Sequence, residues 1–205
     1  MKLVLFVEGA TERASLPDLF KRWLDPRLGQ RLGFRVVRFE GWRHYYDEIA
    51  RKVALNLSGK AGADVVGGVG LLDLYGPTFY PGHTTASAER YAWAKEHLEQ
   101  RVGHPRFRQH FAVHETEAWL LAQPELLAPE VGRALPGRTA LPETVNFDEP
   151  PARLLERLYR QKIGRPYRKV IDGASLFRSL SPEKAAERCP NLRRLLEDML
   201  ALARL

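Results

Sequence analysis

Four short apolar runs, separated by stretches whose apolar residues recur at helical spacing, constrain the fold of this chain more than any other feature. Residues 2–7, KLVLFV, are apolar after the first position and end in Glu8-Gly9. That is the pattern of a strand buried on both faces and entering a tight turn. Beyond Thr11 the period changes. Leu16, Leu19, Phe20, Trp23 and Leu24 fall on one helical face, and Asp25-Pro26 is expected to end that helix. Residues 34–39 read as a second strand, and Tyr46, Ile49, Ala50, Val53 and Leu57 as a second helix closed by Ser58-Gly59. Residues 64–74 form a third strand, in which Gly67, Gly68 and Gly70 let another backbone come close. A Gly- and Pro-rich loop over 75–84, a helix over 85–102 and a fourth strand over 107–113 complete the series. Strand and helix in alternation predict an α/β fold, a parallel sheet covered on both faces.

After His114 the strands stop. The remainder reads as helical pieces broken by prolines: a short one at 118–122, an amphipathic one at 151–160 and a closing helix over 190–205 with Leu192, Leu195, Leu196, Met199 and Leu200 inward. Ser181-Pro182-Glu183 is a helix start, with a capping hydroxyl, proline at the first position and an acid in the first turn. Residues 129–151 read as a loop-rich hinge or cover. The expected organisation is an α/β domain over 1–122 and a helical extension over 123–205, packed on it as one unit.

Composition narrows the function classes. No apolar run approaches the roughly eighteen residues that cross a bilayer, and the apolar run at 3–7 is too short for a secretory signal. The lone Cys189 excludes an intrachain disulfide framework and a zinc site built from several thiolates. A cytoplasmic protein without membrane attachment is the expectation. The net charge of +7 favours a polyanionic partner, although 24 arginines among 32 basic residues also fit a solvated surface with biased codon usage.

Three segments carry carboxylates to where a parallel sheet places its ligands. In Val7-Glu8-Gly9-Ala10-Thr11-Glu12, Glu8 ends a buried strand, Gly9 frees the turn, and a helix N-terminus follows. Glu12 is also explained as an acid favouring the helix dipole. Asp73 likewise ends an apolar strand, followed by Leu74-Tyr75-Gly76. If the first and third strands are neighbours, its carboxylate meets that of Glu8, and two clustered carboxylates ionise cheaply only when a cation joins them. Oxygen ligands alone favour Mg²⁺ or Mn²⁺ over zinc. In His114-Glu115-Thr116-Glu117, Glu115 and Glu117 either complete an acidic ring, with His114 as ligand or proton carrier, or cap the next helix. A turn aspartate in solvent is the alternative for Asp73 taken alone.

The Glu-Gly-x-Thr-Glu opening after an apolar strand resembles the first motif of the Toprim fold of primases, topoisomerases and OLD-type nucleases. Over nearly its full length the chain resembles a bacterial Toprim-like family, domain of unknown function 4276. The pieces that carry this are Val7-Glu8-Gly9-x-Thr11-Glu12, Leu72-Asp73-x-Tyr75-Gly76, His114-Glu115-x-Glu117-Ala118-Trp119, Tyr167-x-Lys169 and Arg188-Cys189-Pro190. The resemblance implies a three-layer α/β/α arrangement with a four-stranded parallel sheet in which strands one and three are adjacent. It implies Glu8 as acid/base or metal ligand and Asp73 as a ligand of Mg²⁺ or Mn²⁺. It also implies a nuclease or related phosphoryl-transfer activity, or else a non-catalytic subunit serving an ATPase in bacterial defence. The Toprim pattern has a second aspartate two residues after the first; here that position is Tyr75. One metal would then be lost unless Glu115 or Glu117 replaces the missing carboxylate.

Positive charge follows in the helical region. Arg153, Arg157 and Arg160 share a helix face, and Lys162, Arg165, Arg168 and Lys169 come next, with Tyr159 and Tyr167 interleaved. Guanidinium groups beside aromatic rings suit a nucleic-acid backbone and its bases; a solvated basic face explains the same run. Lys169, in the Tyr-x-Lys piece, is expected to reach the acidic site and neutralise a phosphoryl group. A nucleotide cradle is not expected, because Ser58-Gly59-Lys60 lacks the earlier glycine of a P-loop.

Overall fold

The computed structural model describes residues 1–144 and 149–205. Among the described residues four parallel strands form one sheet: β1 (Lys2–Val7), β2 (Gly33–Arg38), β3 (Val65–Asp73) and β4 (Phe107–Ala112), in the order β2-β1-β3-β4. β1 and β3 are neighbours, as expected, with Val7 opposite Leu71. The chain steps outward from β1 to β2, then crosses back to β3 on the other side of β1. The carboxyl ends of β1 and β3 therefore flank the switch point, where open parallel sheets bind ligands.

Side-chain alternation builds the three layers. Leu3, Leu5 and Val7, with Val69 and Leu71, face α1 (Ala10–Leu28) and α9 (Pro190–Ala203). Val4 and Phe6, with Leu72 and Leu74, face α2 (Gly41–Leu57) and α3 (Ser87–Val102). A strand with both faces covered must be apolar at every position, which accounts for the unbroken run in β1. α9 contacts β1, β3 and β4 directly, so the closing helix supplies part of one layer. α4 (Glu117–Leu121), α6 (Pro151–Ile163), α7 (Ala174–Ser179) and α8 (Pro182–Arg188) pack on the α1 side. Among the described residues no helix is long and apolar enough to cross a membrane.

Two expectations need correction. α1 does not stop at Asp25-Pro26; it continues to Leu28 and ends at Gly29 in the left-handed conformation. Proline here costs a backbone hydrogen bond, but side-chain hydrogen bonds hold the last turn. Arg27 donates to the Trp23 carbonyl at 2.7 Å, and the Leu32 amide donates to Asp25 at 2.8 Å. The stretch 129–151 is not mainly loop either. It holds α5 (Pro129–Arg133) and tight turns at Gly137–Ala140 and Pro142–Thr144, while its residues 145–148 lie outside the described residues. Glu143 closes the start of α9, accepting from the Asn191 amide at 2.8 Å and the Leu192 amide at 3.1 Å.

Of the three β3 glycines expected to admit backbone, only Gly67 has one close, the Arg106 carbonyl; Gly68 and Gly70 make room for side chains. A methyl at Gly70 would lie 1.9 Å from the Tyr45 hydroxyl, which donates to Gln109 at 2.6 Å inside the core.

Candidate functional site

At the switch point Glu8, Gly9, Glu12, Asp73, Thr116 and Lys169 line one cleft of about 300 Å³. Four distant segments meet there because the topology aligns the carboxyl ends of β1 and β3, the start of α4 brings in Thr116, and a turn of the helical region carries in Lys169. Strand alternation sends Glu8 toward the α2 face and Asp73 toward the α1 face. Both line the cleft at the carboxyl end of the sheet, but from opposite faces, so the two carboxylates do not meet directly, contrary to expectation. Glu12 is the carboxylate that acts on both.

Gly9 is what lets Glu12 take this place. A β-carbon at Gly9 would stand 2.1 Å from a Glu12 carboxylate oxygen, so a larger residue there would displace that carboxylate from its place over the turn. Glu12 is 8% exposed, which a solvated helix-start acid would not be. Burial raises the Glu8 carboxyl above its ordinary value and Glu12 adds to this, while the Trp42 amide at the start of α2 opposes both.

Asp73 is pushed well above the ordinary carboxylate range, first by burial; Lys169 opposes this, and Glu117, Glu12 and Glu115 reinforce it. Glu117 is fully buried and also raised, mainly by burial. Its Oε2 meets the Lys169 ammonium at 3.1 Å, and its Oε1 has no hydrogen-bond partner among the described residues. The Thr116 hydroxyl lies 3.5 Å from Glu12 and 3.4 Å from Glu117, weak bonds that its one proton can make only singly. Burial depresses the Lys169 ammonium, but Glu117, Asp73 and Glu12 outweigh it and hold the group above its ordinary value.

The remaining candidates take other positions. Glu115 accepts from the Ala152 amide at 3.2 Å and so caps α6, not the helix that follows it in sequence. His114 is buried and its ring stacks on Tyr75, centroids 4.4 Å apart; burial lowers the imidazole to about 4, leaving it neutral at pH 7. Arg165 forms a two-pronged pair with Asp172 at 2.8 and 3.1 Å, and Arg168 reaches the same carboxylate through its amide at 2.7 Å. These two arginines thus fix the turn Lys169–Gly173 that presents Lys169. Arg157 pairs with Glu149 and Arg160 with Glu156, and with Arg153 they line a separate surface depression. The Arg188-Cys189-Pro190 piece joins helices: Arg188 donates to the Ala122 carbonyl at 2.8 Å and Cys189 is buried.

The family model described as Domain of unknown function (DUF4276) matches residues 7–200. The chain belongs to this family. The matched span holds every residue of the cleft, from Glu8 to Lys169. Among solved structures, the C-terminal region of the Burkholderia pseudomallei OLD protein is similar, at 19% identity over 98% of each chain with a TM-score of 0.45. Comparison with curated proteins gives no match.

Whether a divalent ion suits this cleft can be judged from its donors. They are oxygens only, the set that hard cations take. Glu8, Glu12, Asp73 and Glu117 face the Lys169 ammonium, and the buried oxygen of Glu117 lacks a partner. That charge and that donor set fit Mg²⁺ or Mn²⁺. As placed, however, no three His, Cys, Asp or Glu side chains among the described residues are grouped to hold an ion. Glu8 is drawn to the Trp42 amide and Glu117 to Lys169. Thr116 lines the cleft without any signal in the sequence, and Glu12, which stands in the Glu-Gly-x-Thr-Glu opening, is buried beside Glu8 in a way the sequence does not show.

Proposed function

We propose that this chain is a Mg²⁺- or Mn²⁺-dependent nuclease, or a related phosphoryl-transfer enzyme acting on nucleic acid. The observation that carries this reading is the gathering of Glu8, Glu12 and Asp73 in one cleft at the switch point, with burial raising Glu8 and Asp73. Asp73 and Glu12 would hold the ion, with Glu8 as a further ligand or as the acid/base. Glu117 keeps Lys169 in position, and Lys169 neutralises the phosphoryl oxygens. The ion, once bound, supplies a polarised phosphoryl oxygen and a more acidic water. Cleavage of single- and double-stranded DNA and RNA in Mn²⁺, abolished by EDTA, is the expected result. Absence of products from all four at saturating Mn²⁺ ends the enzymatic reading.

One feature supports a second reading, a non-catalytic subunit that binds nucleic acid beside an ATPase, with a role in bacterial defence. Tyr75 stands two residues after Asp73 with its ring stacked on His114, in place of a further carboxylate. Salt-sensitive nucleic-acid binding without cleavage would select it.

A further inference from the structure

The arginines of α6 and of the turn before Lys169 are largely neutralised by Glu149, Glu156 and Asp172. Unneutralised arginines stand elsewhere, on the α2/α3 side of the sheet. There Trp42 and Tyr46 from α2, Phe79 and Tyr80 from the loop over 75–84, and Trp93 and His97 from α3 form one continuous surface of rings. Trp42 and Phe79 lie 6.0 Å apart, Phe79 and Tyr46 5.1 Å, Tyr46 and His97 5.8 Å, and His97 and Trp93 4.6 Å. All six rings are half-buried, so each packs on the core and reaches solvent. Arg43 lies over Trp42 at 5.3 Å, Arg101 over Tyr46 at 4.4 Å, and Arg90 over Tyr80 at 5.3 Å. None of the three is in an ion pair among the described residues.

The surface runs into the cleft at two points. The Trp42 amide acts on Glu8, and Arg90 also lies over Tyr75, 5.6 Å from its ring, two residues beyond Asp73. Packing alone asks for apolar rings under the loop; Arg90 and Arg101 also donate to the Thr84 and Tyr46 carbonyls at 2.9 and 3.2 Å, yet no carboxylate among the described residues neutralises their charge. Rings that offer π faces, beside unpaired positive charge, match bases and phosphates of an unpaired strand, whereas a duplex keeps its bases stacked internally. We propose that this aromatic surface is a stacking platform for single-stranded nucleic acid, leading the strand to the carboxylate cleft. The proposal rests on nucleic acid being the ligand, as the functional reading has it, and adds that the unpaired strand is the form bound.

Binding is measured in EDTA, where catalysis plays no part, so its failure is separate from a failure to cleave. Trp23 and Trp119 are 8% and 1% exposed, whereas Trp42 and Trp93 are half-buried on the platform. Oligothymidylate and oligouridylate of about twenty nucleotides should therefore quench tryptophan emission at low salt, and comparing them tells DNA from RNA. A duplex of equal length should bind about tenfold more weakly or less. Arg43 and Arg101 are exposed, so Arg43→Glu with Arg101→Glu should leave the fold intact by circular dichroism, with only the Arg101 bond to the Tyr46 carbonyl lost, and weaken strand binding by about tenfold or more. No quenching by either polymer, equal affinity for the duplex, or an unchanged affinity after charge reversal would each overturn the proposal.

Discussion

Asp73→Asn is expected to lower Mn²⁺-dependent cleavage by at least about 10²-fold, the scale of a single essential catalytic group. The same substitution should raise the stability of the metal-free protein by about 0.5–2 kcal/mol, as replacing a strained functional group commonly does. Both effects follow from the same burial. The folded protein holds the Asp73 carboxyl well above its ordinary value of 3.8, so above that pH the folded state binds more protons than the unfolded chain. Stability then falls as pH rises through the interval between the two values. Asparagine carries no charge to desolvate, and it removes this part of the slope. Urea unfolding in EDTA across a pH series, set beside Mn²⁺-dependent rates, checks both halves. A variant that is less stable at pH 7 and equally active would contradict the assignment of Asp73.

Lys169→Met acts in the opposite direction. It leaves Glu117 buried without its counter-charge, and breaking a fully buried pair costs about 3–5 kcal/mol. Lys169 is 39% exposed, so solvent screens part of that interaction. A loss of about 2–3 kcal/mol is expected after this discount. Because the folded protein raises the Lys169 ammonium above its ordinary 10.5, its contribution is complete at neutral pH and fades only when alkali titrates it. Adding Glu117→Gln to the methionine variant should restore most of the loss, since the stranded charge is then gone. Additive losses in the double variant, measured by denaturant unfolding, would mean that the two groups do not act as a pair.

The parallel sheet was legible because its evidence is local. Apolar runs such as 3–7 and helical spacing from Leu16 to Leu24 survive in any surroundings, and carboxylates at strand ends announce themselves. What the sequence hid depends on side-chain contacts that form only on folding. Pro26 reads as a stop until Arg27 and Asp25 are seen to hold the final turn. Glu12 reads as a solvated acid until Gly9 is seen to admit it into the cleft. The basic run from Arg153 to Arg168 suggests a phosphate surface, yet the carboxylates that neutralise much of it become partners only on folding. Arg43, Arg90 and Arg101, which have no such partners among the described residues, are scattered over two helices, and no pattern within either one reveals their common surface.

In the proposed site, oxygen donors from the turn after β1, from α1 and from β3 share one divalent ion. Crystals soaked in Mn²⁺ and measured for anomalous scattering test it most directly. A peak is expected in the cleft with oxygens of Asp73 and of Glu12 or Glu8 within about 2.0–2.6 Å, the range for hard cations. A clean map at that position in millimolar Mn²⁺, or a peak bound only by surface carboxylates elsewhere, would contradict it.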